Sequence, residues 1–176
     1  MKKIAITGPE STAKSSLTMF LANYFNLPFV PEFAREFLGS KSLGYVCSFE
    51  DITYIANEQM RLEDELSAKN ELIFCDTDIL VCKIWQQFVF GECDPFIQNA
   101  FLNRNYHLHL LCSADIPWEY DPLRSNPDDR EQLFELYKKE LETASKTFVV
   151  ISGLDDERFN NAIRAVENIM KFKNEN

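Results

Sequence analysis

The chain has 176 residues, a formal net charge of −10, and apolar residues making up 45% of its composition. Those values belong to a soluble globular protein of one domain, long enough to bury a proper core. The acidic balance argues against a nucleic-acid partner, which asks for a basic patch.

Five cysteines, Cys47, Cys75, Cys82, Cys93 and Cys112, are odd in number and show no C-x-x-C spacing. They read as reduced, scattered thiols rather than a disulfide frame or a zinc site. Met1-Lys2-Lys3 runs straight into an apolar stretch, so no signal peptide is expected, and no apolar run reaches membrane-spanning length. The expected setting is cytoplasmic, with no membrane partner. Nothing in the sequence speaks to oligomeric state.

In chain order, Ile4 to Thr7 is a β-branched, apolar run that reads as a buried strand. A small-residue turn follows, then a helix over 15–25 with Leu17, Leu21 and Tyr24 on one stripe, ended by Asn26. Leu27 to Val30 is a short second strand, Phe33 to Leu38 a brief helix, and 40–48 a loop. Phe49 to Lys69 is a long helix for which Ser48 and Asp51 are both plausible caps. Leu72 to Cys75, closed by Asp76, is a third and buried strand. A helix runs from Thr77 to near Gly91, a short one from Asp94 to Asn103, and a fourth strand from Tyr106 to Cys112. The segment at about 115–130, rich in Pro and polar residues, reads as a lid rather than a linker. A helix over 129–145, a fifth strand at 147–151, Ser152-Gly153 and a last helix near 156–172 complete the chain. Strands alternating with helices predict an α/β fold: a doubly wound parallel sheet covered on both faces, with ligands outside the carboxyl ends of the strands.

The first of those strand ends carries the strongest motif. Gly8 to Ser15 fits the phosphate-loop pattern G-x-x-x-x-G-K-[ST] except at Ala13, where the pattern wants glycine. A strand-to-helix turn of this length curls backbone N–H groups around an anion, and the helix dipole points at the same spot. Gly8, Glu10, Ser11, Thr12, Ala13, Lys14, Ser15 and Ser16 are therefore the expected nucleotide-binding residues. Lys14 would place a positive charge on the β- and γ-phosphates, and Ser15 would offer a hydroxyl to Mg²⁺. If Ala13 must take a positive φ, the backbone is strained by about 1 kcal/mol.

Phosphoryl transfer needs a carboxylate near the attacking hydroxyl and positive charge on the migrating group. Glu32, just past the second strand, is placed to accept or orient a hydroxyl proton, and Arg35 shares its helical face. Asp76 and Asp78 follow a strand of four apolar residues, where a carboxylate is costly unless it serves a cation or hydrogen bonds. Asp76 reads as a Mg²⁺-side or substrate-ribose carboxylate. Asp78 reads as a substrate partner or, alternatively, as the first residue of a helix. Arg124 and Arg130 bracket the lid and suit stabilisation of the transferring group, with Arg104 a weaker candidate. Trp118 and Tyr120 lie in the lid and suit stacking on a flat, cationic ring, whereas Trp85 sits on a helix and reads more readily as core. His107 and His109 share a strand face but lack a third metal ligand.

Four blocks taken together resemble one family. They are Gly8-Pro9-Glu10-Ser11-Thr12 with Lys14-Ser15; Val30-Pro31-Glu32-Phe33-Ala34-Arg35-Glu36; Phe74-Cys75-Asp76-Thr77-Asp78; and Pro117-Trp118-Glu119 with Asp121-Pro122-Leu123-Arg124 and Arg130-Glu131. They are similar, in order and over nearly the whole chain, to the ribosylnicotinamide kinase domain of bacterial NadR-type proteins. The resemblance implies a P-loop kinase fold, three-layer α/β/α, related to deoxynucleoside and thymidylate kinases, with strand order 2-3-1-4-5. It implies ATP and Mg²⁺ as cofactors and phosphorylation of the 5′-hydroxyl of nicotinamide riboside to nicotinamide mononucleotide. It implies that Glu32 is the hydroxyl-activating carboxylate, Asp76 the Walker-B-like carboxylate with Ser15 on the metal, and Arg124 and Arg130 the lid arginines. It implies that Arg35, Asp78, Trp118, Tyr120 and Asp121 lie on the substrate side and Gly153 beside adenine. Members of the family are often fused to an adenylyltransferase with an H-x-G-H-type motif or to a helix-turn-helix. This sequence shows neither, so it is expected neither to adenylylate the mononucleotide nor to bind an operator. Two other readings remain open: a kinase of another nucleoside or small metabolite, and a non-catalytic nucleotide sensor.

Overall fold

A computed structural model describes residues 2–42, 44–121 and 128–171. Arg124, and with it the lid stretch 122–127, lies outside the described residues.

Five strands form the sheet: β1 (Lys2–Thr7), β2 (Phe29–Val30), β3 (Leu72–Asp76), β4 (Leu108–Cys112) and β5 (Phe148–Ile151). Their order is β2-β3-β1-β4-β5, and every neighbouring pair is parallel. This is the predicted order. The seven helices are α1 (Lys14–Phe25), α2 (Phe33–Gly39), α3 (Phe49–Ser67), α4 (Ile79–Phe90), α5 (Pro95–Asn103), α6 (Arg130–Thr143) and α7 (Asp155–Lys171).

The strands are apolar on both faces because each face is roofed. Ile4, Ile6, Leu72, Phe74, Leu108, Leu110, Cys112 and Ile151 pack with Leu17 and Leu21 of α1 and Ala162 and Val166 of α7. Ala5, Ile73, Cys75 and Leu111 point the other way, into a core built by α3, α4, α5 and α6. Leu17 and Leu21 are fully buried, and each such burial stabilises the fold by about 1.5–3 kcal/mol. The three-layer arrangement thus follows from the alternation of strand side chains.

Local chemistry sets the element ends. Ser48 and Asp51 form a reciprocal capping box: the Asp51 amide donates to Ser48 Oγ at 3.1 Å and the Ser48 amide to Asp51 Oδ2 at 2.8 Å. Asn26 and Gly91 close α1 and α4 in the left-handed region. The second strand shrinks to two residues, since Pro28 has no N–H to give the ladder and only its carbonyl is used, by the Phe74 amide at 3.1 Å.

The amino-terminal edge of the sheet holds a buried polar cluster. Glu63 of α3 is fully buried and is met by Lys3 Nζ at 3.4 Å, Arg104 at 3.1 Å and the Tyr106 hydroxyl at 2.7 Å. Arg104 is committed here, at the end of the sheet away from the phosphate loop, which removes it as a candidate for charge on a transferring group.

Candidate functional site

β1 ends in Thr7, and the chain leaves the sheet through Gly8 at φ 132°. A Cβ here would lie 2.8 Å from the Cys112 carbonyl oxygen on β4, so only glycine fits the crossing. Ser11 (φ 52°) and Ala13 (φ 60°) then take left-handed conformations before α1 begins at Lys14. Ala13 therefore occupies the strained state that its missing glycine would have relieved. Thr77, next to Asp76, is a third left-handed residue at φ 71°. Such strain collects where geometry serves a site.

The turn lines a hollow of about 250 Å³. Gly8 to Ser16 form one wall, with Glu32 and Arg35 opposite and Ile116, Pro117 and Glu119 above. Val81, Ile84, Trp85 and Phe88, one face of α4, complete an apolar end with Leu133 and Tyr137 of α6. Lys14 Nζ reaches back across the loop to the Pro9 carbonyl at 2.6 Å, and Thr12 Oγ1 donates to the same oxygen at 2.8 Å.

Two carboxylates stand at the loop. Burial raises the Glu32 carboxyl above its ordinary value, and Lys14 and Arg35 pull against that rise. Burial likewise raises Asp76, opposed by the Ser15 hydroxyl, Lys14 and Arg35. Asp76 Oδ1 is buried without a hydrogen-bond partner. An orphaned carboxylate oxygen beside a serine hydroxyl is a donor set that fits a hard divalent cation such as Mg²⁺.

The roots of the lid are bonded to the phosphate loop itself. The Glu119 amide donates to Ser11 Oγ at 2.8 Å. Arg130 donates to the carbonyls of Ser11 at 3.1 Å and Ile116 at 2.9 Å, and its guanidinium lies 5.7 Å from the Trp118 ring centre. Arg35 pairs with Asp121 at 2.9 Å and stands 3.9 Å from Glu32.

Asp78 is corrected. Its side chain lies outside the hollow, bonded by Thr7 Oγ1 at 2.8 Å and facing His109 Nε2 at 3.3 Å, with both partners buried. It is the residue before α4, the alternative that its position left open. The same pairing gives His109 a structural role, and among the described residues no group of His, Cys, Asp and Glu is arranged to hold a metal. The aromatic wall also differs from expectation. Tyr120 is 82% exposed and Trp118 lies by Arg130, whereas Trp85 faces the hollow. The spacing of Val81, Ile84, Trp85 and Phe88 along one helical face is the signal that would have found this wall. Gly153 sits outside the lining, its amide on Asp115 Oδ2 at 2.7 Å. Sequence reasoning missed Arg158 altogether. It is 2% exposed and donates to the carbonyls of Thr12, Ser113 and Gly153 and to Asp115.

A parallel sheet in this order, with a phosphate loop leaving its first strand, defines a domain of the P-loop nucleotide-binding class. Residues 3–158 match the family described as AAA domain, and the chain belongs to that family. It is similar to the Trifunctional NAD biosynthesis/regulator protein NadR of Escherichia coli (strain K12), with 29% identity over 97% of this chain. The chain spans 43% of that relative's length. Crystal structures of NadR protein, one in complex with NR and one with NAD and AMP-PNP, superpose with TM-scores of 0.79 and 0.77 at 20% identity. Each covers 96% of this chain, which spans 51% and 49% of theirs. A thymidylate kinase from Ehrlichia chaffeensis shares the fold at TM-score 0.67 and 13% identity, covering 96% of this chain and 98% of its own. The resemblance read from the four sequence blocks is borne out.

Proposed function

We propose that this chain transfers the γ-phosphoryl group of ATP to the 5′-hydroxyl of nicotinamide riboside, giving nicotinamide mononucleotide. The observation that carries the reading is one hollow in which a phosphate loop with its lysine faces a buried carboxylate, Glu32, and ends in an apolar, aromatic wall. Similarity to NadR, solved with NR and with an ATP analogue, supports the substrate pair.

In this reading the loop amides and Lys14 hold the β- and γ-phosphates. Glu32 accepts the proton of the attacking hydroxyl, and the γ-phosphorus passes from the β-γ bridging oxygen to the substrate oxygen. Ser15 and Asp76 would hold Mg²⁺, which neutralises phosphate charge when bound. Trp85 and its neighbours on α4 offer the flat surface for the nicotinamide ring. The acceptor side presents Glu10, Glu32 and Glu119, and its Arg35 is paired with Asp121. That suits an uncharged or cationic nucleoside and disfavours one already phosphorylated.

ADP release measured with ATP, Mg²⁺ and a panel of nucleosides tests it. Turnover is expected with nicotinamide riboside. Turnover of a deoxynucleoside with none of nicotinamide riboside overturns the substrate, and tight ATP binding with no acceptor at all overturns the kinase.

A further inference from the structure

Each peptide of the phosphate loop that must aim its N–H at an anion has to aim its carbonyl outward, because the two groups of a trans peptide point in opposite directions. Two of those outward carbonyls are held by arginines from the far end of the chain. Arg130 takes the Ser11 carbonyl at 3.1 Å, and Arg158 takes the Thr12 carbonyl at 3.2 Å. The matching N–H groups belong to Thr12 and to Ala13, the residue at φ 60°. Arg158 is itself fixed on all sides. Its Nε donates to Gly153 O at 3.0 Å, its second terminal nitrogen donates to Ser113 O at 3.2 Å and pairs with Asp115, and Asp115 also accepts from the Gly153 amide at 2.7 Å.

We propose that Arg158 is a positioning residue for nucleotide binding: its buried guanidinium clamps the Thr12–Ala13 peptide so that a phosphate loop lacking its glycine keeps the Ala13 N–H turned toward the phosphates. The inference rests on the nucleotide-binding part of the reading above and adds a residue to it. The rigid fork of an arginine suits the task, since one planar group must serve acceptors on three separate segments. Alanine avoids the left-handed region unless its surroundings over-determine it. Arg158 supplies that determination from behind the loop, without touching the ligand.

The test is ATP and ADP affinity, measured by calorimetry on the full chain, for Arg158→Gln, Ala13→Gly and the double variant, alongside thermal melting. Arg158→Gln is expected to weaken ATP binding by more than about fivefold. Ala13→Gly is expected to recover at least about threefold more affinity in the Arg158→Gln background than in the wild type, because glycine adopts the conformation unaided. A merely structural arginine would lower the melting midpoint and leave the Kd of the folded protein unchanged. A Kd within about fivefold of wild type, or equal gains from Ala13→Gly in both backgrounds, overturns the proposal. If Arg158→Gln does not fold, Arg158→Lys, which keeps the charge and loses the fork, carries the same criteria. Nicotinamide riboside plays no part in these measurements. Absent turnover with normal ATP binding therefore sinks the substrate assignment alone, and a wild type that binds neither nucleotide sinks both.

Discussion

Lys14 and Glu32 face one another across the hollow, and the variants that separate their roles are single residues. Lys14→Ala removes the charge of the cradle from a partly buried side chain, so phosphoryl transfer is expected to vanish while the circular dichroism spectrum and melting midpoint stay those of wild type. Wild-type turnover in that variant would take the loop out of the mechanism. Glu32→Gln is expected to cut kcat by about 100-fold or more if the carboxylate takes the proton. Its pH dependence gives an independent check. A base works only when ionised, and burial raises the Glu32 pKa above 4.5, so the acid limb of kcat/KM should lie above 4.5 and disappear in Glu32→Gln. The same shift has a stability sign: neutral Glu32 suits the folded state, and that contribution is lost as pH rises through its folded pKa. Ala13→Gly alone is expected to alter ATP affinity by less than about threefold, because the loop already stands in the left-handed conformation before any ligand arrives.

Among the elements, the junction of β3 with α4 shows how far sequence carries. The rule that ligands sit beyond strand ends correctly brought together the phosphate loop, Glu32, Asp76 and the lid roots. It does not say which way a side chain turns once the strand has ended. Thr77 at φ 71° redirects the backbone, and the next carboxylate, Asp78, swings under β1 to Thr7 and His109. Asp78→Asn is therefore expected to destabilise the fold by about 1–3 kcal/mol in denaturant titration while leaving the nucleoside KM within about twofold of wild type. A large rise in KM at unchanged stability would return Asp78 to the substrate side. Trp85 escaped notice for a related reason. A helix between two layers looks apolar all round, so its hollow-facing stripe cannot be told from its core-facing one until neighbouring helices are in place. Arg158 escaped because its partners are backbone carbonyls on three segments, and carbonyls leave no trace in composition.

For the whole molecule, charge is the organising quantity. With a net charge of −10, the surroundings repel anions, and the loop concentrates amides and one lysine where a polyanion must dock. The carboxylates on the acceptor side extend that logic to selectivity. A nucleoside 5′-monophosphate is expected to be at least about 100-fold poorer than nicotinamide riboside in kcat/KM, read from ADP release under identical salt. The family-level architecture was legible because strand and helix periods alternate without ambiguity along the chain. The Glu63–Lys3–Arg104–Tyr106 cluster was not. Its members come from four different parts of the sequence, and each reads alone as an ordinary polar residue.

The contact between Arg35 and Asp121 has a kinetic meaning. It spans the doorway between α2 and the first lid root, and its arginine is about half in water, at 49% exposure. Pairs of this kind contribute under about 1 kcal/mol and weaken as ions are added. The doorway is thus a turnstile rather than a bolt: it swings at little energetic cost, and brine widens it while the bonds from the lid roots to Ser11 remain made.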